Sequence, residues 1–349
     1  MKYNKHIIFF CPGFPHNEDE TDCIPAMQNF IKGFRQNHPK IRISVVSFYY
    51  PFIKRNYVWH DINVYALGKK GLNSLKIIKW RKVYTTFKKI FNPKEDTIIQ
   101  SFWLHDCALV GQILSYSFNV KHYCMVMGQD ASLKNKYRYI LPSKKLIVFC
   151  ANELSNQKLI NVFGRKANYI IPRGIDENSF KNITNKTRDI DILGVGNLSK
   201  LKNYSSFLRI IKQLKERIEA INVVIIGKGE EEREMKTYIL ENNLDVNVSI
   251  VGHLKREEVL ETMSSSKILL HTSTFEDESY AITEALCAGL YAVGYKKVHN
   301  NRENLHLGLN ETDLVTICQS ILTAYQPPKK SVIYTIKQMV KDFYEIYFP

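Results

Sequence analysis

The chain has 349 residues, too many for one ordinary domain and comfortable for two. Hydrophobic residues make up 45% and charged residues 24%, which excludes a disordered polymer, and no apolar run approaches the roughly 18 residues of a membrane span. The formal net charge of +15 points to nucleic acid, an anionic membrane surface or anionic substrates, but no zinc finger, RNP-like aromatic motif or GXXG clamp accompanies it, so no nucleic-acid partner is expected. The seven cysteines are scattered; Cys11, Cys124 and Cys150 lie in or beside apolar runs, as suits reduced, buried thiols in a cytoplasmic protein. None has zinc-site spacing.

In chain order, the start MKYNKHIIFFCPGF reads as a first β-strand rather than a signal peptide, its apolar run being too short. Strands are predicted at His6–Phe10, Arg42–Tyr49, Asn63–Leu67, Thr97–Phe102, Tyr123–Met127, Leu146–Ala151 and Tyr169–Ile171. Several are apolar throughout, as in a buried parallel sheet. Helical patterns separate many of them, including Ala26–Arg35, Leu72–Phe91 and Leu154–Phe163. Leu72–Phe91 is basic and amphipathic: Leu72, Trp80, Val83, Tyr84, Phe87 and Phe91 share one face, with Arg81, Lys82, Lys88 and Lys89 opposite. Such a helix suits either packing on a sheet or contact with an anionic membrane surface.

Ile175–Arg188 is polar, lacks periodicity and reads as a linker. A second βα series follows, with strands at Asp189–Gly194, Asn222–Ile226, Asn247–Val251, Lys267–His271 and Leu290–Gly294. Helices are predicted at Tyr204–Ile218, Glu230–Asn242, Arg256–Ser264, Ser279–Ala288 and Asp313–Ala324. The QPPKK break at Gln326–Lys330 precedes a last amphipathic helix, Ser331–Tyr347. The rhythm is that of two doubly wound α/β domains.

The most informative stretch is KILLHTSTFEDESYAITEALCAG, Lys267 to Gly289. A strand and a polar turn lead into a helix that ends at Gly289, and Glu276 and Glu284 bracket the turn and the helix start with seven residues between them. As a hydrolytic pair these carboxylates are too distant, since eight residues of helix span about 12 Å. The N–H groups at the helix start, Ser279 to Ala281, suit a phosphate, and the carboxylates suit hydroxyls attached to it. Earlier, DILGVGNLSKLKN places Gly194, Gly196 and Lys202 after a strand, but Ser199 stands where a dinucleotide fingerprint needs its third glycine. Gly227 and Gly229 make a similar turn, and Gly252–His253–Leu254 closes another strand.

Taken together, these segments resemble the retaining GT-B glycosyltransferases of the family 4 type, with their E-x7-E signature and G-R-L-x-x-x-K-G loop. The resemblance runs in order from Asp191 to Gly294. It implies a GT-B fold: two Rossmann-like domains facing a cleft, 1–175 with helix 331–349 crossing back, and 176–330. It implies sugar transfer from a nucleotide-diphosphate donor to a glycan, lipid-linked or other acceptor, as in cell-surface polysaccharide or glycoconjugate synthesis. By resemblance, Lys202 neutralises the leaving diphosphate, Glu284 binds the ribose and Glu276 faces the donor sugar. Gly13, Gly196, Gly227, His253, Leu254, Ser279, Tyr280 and Ala281 complete the donor site, with Asn197 where the family has arginine. Met127–Asp130 resembles an H-G-x-D region whose histidine is absent, which leaves Asp130 as the polar candidate of the first domain. Arg173 replaces an interdomain asparagine. No D-x-D metal motif occurs, so neither metal nor cofactor is expected; the nearest run is Asp189–Asp191 in a strand. The acidic loop with Glu18, Asp19, Glu20 and Asp22 reads as solvated. Two alternatives stay open, a GT-B nucleotide-sugar epimerase and a non-enzymatic basic protein that binds membranes or polyanions.

Overall fold

A computed structural model describes residues 3–68, 76–127, 130–180, 187–274, 279–296, 303–332 and 334–349. The chain divides into two units, Met1–Gly174 with Ile336–Pro349, and Ile175–Thr335. No helix among the described residues is long and apolar enough to cross a membrane.

The first unit runs β1 (Lys5–Gly13), α1 (Pro25–Asn37), β2 (Arg42–Tyr50), β3 (Arg55–Trp59), β4 (Ile62–Ala66), α2 (Lys76–Ile90), β5 (Asp96–Phe102), α3 (Asp106–Phe118), β6 (Lys121–Met125), β7 (Leu146–Cys150), α4 (Glu153–Phe163) and β8 (Tyr169–Ile170). Its eight strands lie in the order β3-β4-β2-β1-β5-β6-β7-β8. Every pairing is parallel except β3 with β4. Strand β1 is buried on both faces, from Ile7 to Cys11, which is why its sequence is continuously apolar. From β1 the chain builds outward through β2 and β4, then returns to the other side of β1 at β5. The crevice at the carboxyl ends of β1 and β5 is therefore the switch point of this sheet, where doubly wound proteins bind ligands.

The second unit runs β9 (Ile190–Val195), α5 (Tyr204–Lys215), β10 (Val223–Ile226), α6 (Glu232–Glu241), β11 (Val248–Gly252), α7 (Arg256–Ser264), β12 (Ser266–His271), α8 (Tyr280–Ala288), β13 (Tyr291–Tyr295), β14 (Leu305–Gly308) and α9 (Glu311–Thr323). Its six strands are all parallel, in the order β11-β10-β9-β12-β13-β14, with the switch point between β9 and β12. Two apolar layers cover the sheet, one centred on Phe207, Leu208 and Ile211 of α5, the other on Ile282, Ala285 and Leu286 of α8.

The last helix, α10 (Ile336–Tyr347), belongs to the first unit. Gly33 of α1 admits it closely, since a Cβ there would overlap the Ile336 side chain. Phe30 packs on Phe343 with ring centroids 4.8 Å apart, and the Tyr347 hydroxyl donates to Gln100 Oε1 on β5 at 2.6 Å.

Three elements were not expected from the sequence. The β3–β4 hairpin turns on His60 and Asp61, both in the left-handed region, a pair that lacks the Asn-Gly signal of such turns. Helix α3 is apolar on nearly all sides and buried, so it shows little helical periodicity. Strand β14 is only four residues long. The expected helix Leu72–Phe91 is helical over Lys76–Ile90, and Leu72 lies outside the described residues. Its apolar face, Val83, Phe87 and Ile90, packs on the sheet with Phe10 and Phe48, so its amphipathicity is accounted for by the core. Tyr84, expected on that face, is 39% exposed against Phe118.

Candidate functional site

At the second switch point the loops after β9, β10 and β11 are laced together by their backbones. Gly196 N–H donates to Ile226 O at 3.0 Å, Leu198 N–H to Lys228 O at 3.0 Å, and Gly227 N–H to Gly252 O at 2.8 Å. Gly196 and Gly227 have φ of +145° and +153°, values that favour glycine. A Cβ on Gly227 would overlap the Gly196 carbonyl oxygen. Gly227→Ala is therefore expected to destabilise the second unit by about 2–3 kcal/mol. Urea unfolding followed by circular dichroism checks this, and a midpoint like wild type would contradict it.

The Lys202 side chain lies across the Gly196 turn: its Nζ is 3.8 Å from where a Gly196 Cβ would stand. The lysine is anchored by its backbone, N–H to Ser199 O at 2.9 Å and carbonyl accepting from Thr272 Oγ1 at 3.1 Å. Thr274 N–H donates to Leu201 O at 3.0 Å. These bonds join the β9 loop to the segment after β12. Asn197 is exposed at the start of the same loop, as is His253 beyond β11, while Leu254 is half-buried against the α8 layer.

Helix α8 starts beside this loop. Its N-cap, Ser279, makes no side-chain cap; its hydroxyl pairs with His271 Nε2 at 3.0 Å. Tyr280 and Ala281 form the first turn, which thus lacks a side-chain acceptor from Ser279. Glu284 lies one turn further, is 4% exposed, and pairs with the Arg256 guanidinium of α7. Burial pushes the Glu284 carboxyl up against the pull of Arg256. Burial also works against the Arg256 charge, which Glu284 and Tyr280 more than offset, and the guanidinium stands 5.6 Å from the Tyr280 ring centroid. Glu276 lies outside the described residues. Structure thus brings Gly196, Lys202, Gly227, Ser279, Tyr280, Ala281 and Glu284 to one end of one sheet. It adds His271 and Arg256, which sequence reasoning missed. His271 ends a predicted strand just before the signature, the available signal; Arg256 carries none, because its partner is distant in sequence.

Two candidates in the first unit have structural surroundings. Gly13 is a strand residue of β1, buried against Tyr50, where a Cβ would come 3.3 Å from the Tyr50 Cβ. The expected loop glycine is thus a close-packing position. Asp130, expected as a catalytic group, directs its carboxylate at the backbone: it accepts from Leu104 N–H at 2.5 Å and Met127 N–H at 2.9 Å. Burial raises its pKa despite these bonds and the nearby Arg173. The arrangement makes Asp130 a clamp on the loop after β5. In the acidic loop, Glu20 is not solvated: it accepts from the Tyr50 hydroxyl at 2.7 Å and contacts His16.

Two parallel-sheet units of this topology, with a glycine-laced loop and an α-helix start at a switch point, give the chain a GT-B fold. Residues 175–311 match the family model for glycosyl transferases group 1. An uncharacterized glycosyltransferase of Haemophilus influenzae is 29% identical over 268 residues, covering 70% of each chain. Among solved structures, HepE of Anabaena, in complex with UDP and glucose, aligns with TM-score 0.72 and 16% identity over 97% of this chain and 98% of that one. Sucrose-phosphate synthase of Thermosynechococcus elongatus aligns with TM-score 0.73 and 14% identity over 99% and 95%. The pneumococcal O-GlcNAc transferase GtfA, in complex with UDP and GlcNAc, aligns with TM-score 0.61 and 14% identity over 84% of this chain and 62% of that one.

Proposed function

We propose that this chain is a retaining glycosyltransferase that moves a hexose from a UDP-sugar to an acceptor hydroxyl held by residues of the first unit, in the synthesis of a cell-surface glycan or glycoconjugate. The observation that carries the donor assignment is the Lys202 ammonium lying across the Gly196 turn, tied through Thr272 to the segment that leads into α8. A lysine there, with the N–H groups of Ser279, Tyr280 and Ala281, supplies positive charge for a departing diphosphate without a metal ion. Glu284, paired with Arg256, accepts from the ribose hydroxyls, and Glu276 faces the donor sugar. Gly196, Asn197, Gly227, His253 and Leu254 line the nucleotide. HepE and GtfA, both solved with UDP, support uracil as the base. Retention follows from front-face attack, in which a donor phosphate oxygen takes the acceptor proton, and the reading includes no covalent sugar–enzyme intermediate.

Calorimetric titration with UDP, GDP, ADP and CMP tests the donor site. UDP is expected to bind first. Glu284→Ala is expected to weaken it about tenfold to a hundredfold, the value of hydrogen bonds to a charged group. Glu284→Gln separates loss of charge from loss of volume. Equal affinity for all four nucleotides, or unchanged UDP binding in both variants, would show that this site does not hold the donor.

A further inference from the structure

At the switch point of the first unit a cluster of charged and aromatic side chains is assembled that the donor site does not use. His105 caps α3 and Asp106 is its first residue. Asp106 is fully buried; one carboxylate oxygen meets His105 Nδ1 and the other accepts from the Tyr49 hydroxyl at the end of β2. Burial pushes this carboxyl up, but His105, Tyr49 and Lys76 together outweigh it and hold the group below its ordinary value. The Asp106 carboxylate lies against Nδ1 without completing a hydrogen bond to it, which leaves Nε2, on the far side of the ring, as the atom offered to a ligand. The ring has the exposure this needs, at 42%.

The imidazole stands between two tyrosines, with centroids 6.0 Å from Tyr49 and 5.3 Å from Tyr137. Each tyrosine carries an ammonium. Lys79 Nζ lies 3.9 Å from the Tyr49 ring centroid, and Lys76 Nζ donates to the Tyr137 hydroxyl at 3.3 Å. One carboxylate therefore faces two ammonium groups, which leaves the cluster cationic. Lys79 is buried, and burial lowers its pKa against the pull of Asp106. The loop that presents His105 is fixed. Asp130 accepts from Leu104 N–H at 2.5 Å, Asn135 Nδ2 donates to Leu104 O at 2.8 Å, and Trp103 keeps a left-handed φ of +65° with its N–H on Met125 O at 2.9 Å.

We propose that this cluster is the acceptor subsite, and that it selects a hydroxyl acceptor bearing an anionic group, phosphate or carboxylate. His105 Nε2 hydrogen-bonds the reacting hydroxyl, and Lys76 and Lys79 bind the anion. His105 contacts the substrate; Asp106, Tyr49 and Asp130 are positioning residues. The word acceptor rests on the transferase reading, whereas anion binding at His105 does not.

The test titrates the full chain, with and without UDP, against two matched pairs of probes: glycerol 3-phosphate with glycerol, and methyl glucuronide with methyl glucoside. His105 ring resonances, assigned by their loss in His105→Gln, report binding at the cluster itself. At least one anionic probe is expected to shift them and to bind about tenfold or more tighter than its neutral partner. Which pair shows the preference distinguishes phosphate from carboxylate. Lys76→Gln and Lys79→Met are each expected to reduce that preference to about threefold or less without changing UDP affinity. Equal binding of charged and neutral probes, no shift at His105, or a preference that survives both lysine variants would overturn the proposal. UDP binding without anion binding removes this subsite and leaves the transferase reading. Anion binding without any nucleotide binding does the reverse.

Discussion

Lys202→Ala is expected to lower kcat for sugar transfer by about 100- to 1000-fold while the second unit stays folded, as removal of one preorganised donor from a site of developing charge does elsewhere. The links of Lys202 to Ser199 and Thr272 run through the backbone and survive truncation. What alanine removes is the ammonium lying across the Gly196 turn, where the proposed transfer places the leaving diphosphate. Ground-state donor binding, spread over the loop and α8, should fall much less than kcat. Initial rates with the donor identified by calorimetry, together with circular dichroism, make the comparison. A variant that turns over within about threefold of wild type would remove Lys202 from the mechanism.

The second large effect concerns stability and pH. His6 on β1 and His122 on β6 are fully buried and held neutral. Burial, with Arg42 adding to it, lowers the His6 pKa to about 2; burial alone lowers that of His122 to about 3. Geometry agrees for His6, whose Nδ1 accepts from the Arg42 guanidinium at 2.8 Å and so has no room for a proton, while Nε2 faces Ser44 Oγ at 2.9 Å. His122 bridges Gln112 Oε1 at 2.8 Å and Ser101 Oγ at 2.9 Å. Because the folded values lie below the unfolded ones, the unfolded chain binds more protons below about pH 6.5, and acid therefore destabilises the fold. Each histidine contributes about 1.4 kcal/mol per pH unit, so moving from pH 6.5 to 4.5 costs the first unit about 5 kcal/mol.

All three tryptophans, Trp59, Trp80 and Trp103, lie in the first unit, so their fluorescence in urea follows that unit alone. His122→Gln keeps polar groups for Ser101 and Gln112 and should halve the loss across this window, whatever it does to stability at neutral pH. An unchanged pH dependence in that variant would mean that His122 is protonated in the folded state.

Much of this molecule was legible before any coordinates. Parallel strands buried on both faces are mostly apolar, so β1, β2, β9 and β12 announced themselves as short apolar-rich runs. Glycines at Gly196 and Gly227 were legible for a related reason, since the turns after such strands require φ values that other residues resist. Elements without a local signature were lost: the His60–Asp61 hairpin and α3, apolar on most sides, follow neither common pattern.

The candidate site divides in the same way. Sequence alone determined the architecture and the order of the loops around the candidate site, because strand burial and turn geometry act over a few neighbouring residues. Only tertiary structure decided how the polar groups are used. Asp130 became a backbone clamp, Glu284 met Arg256 from another helix, and His105 was brought between Tyr49 and Tyr137. Each of those outcomes depends on which atoms lie within hydrogen-bond reach across elements distant in the chain. A charge or hydroxyl has no preferred partner until folding supplies one and removes the water that would otherwise serve.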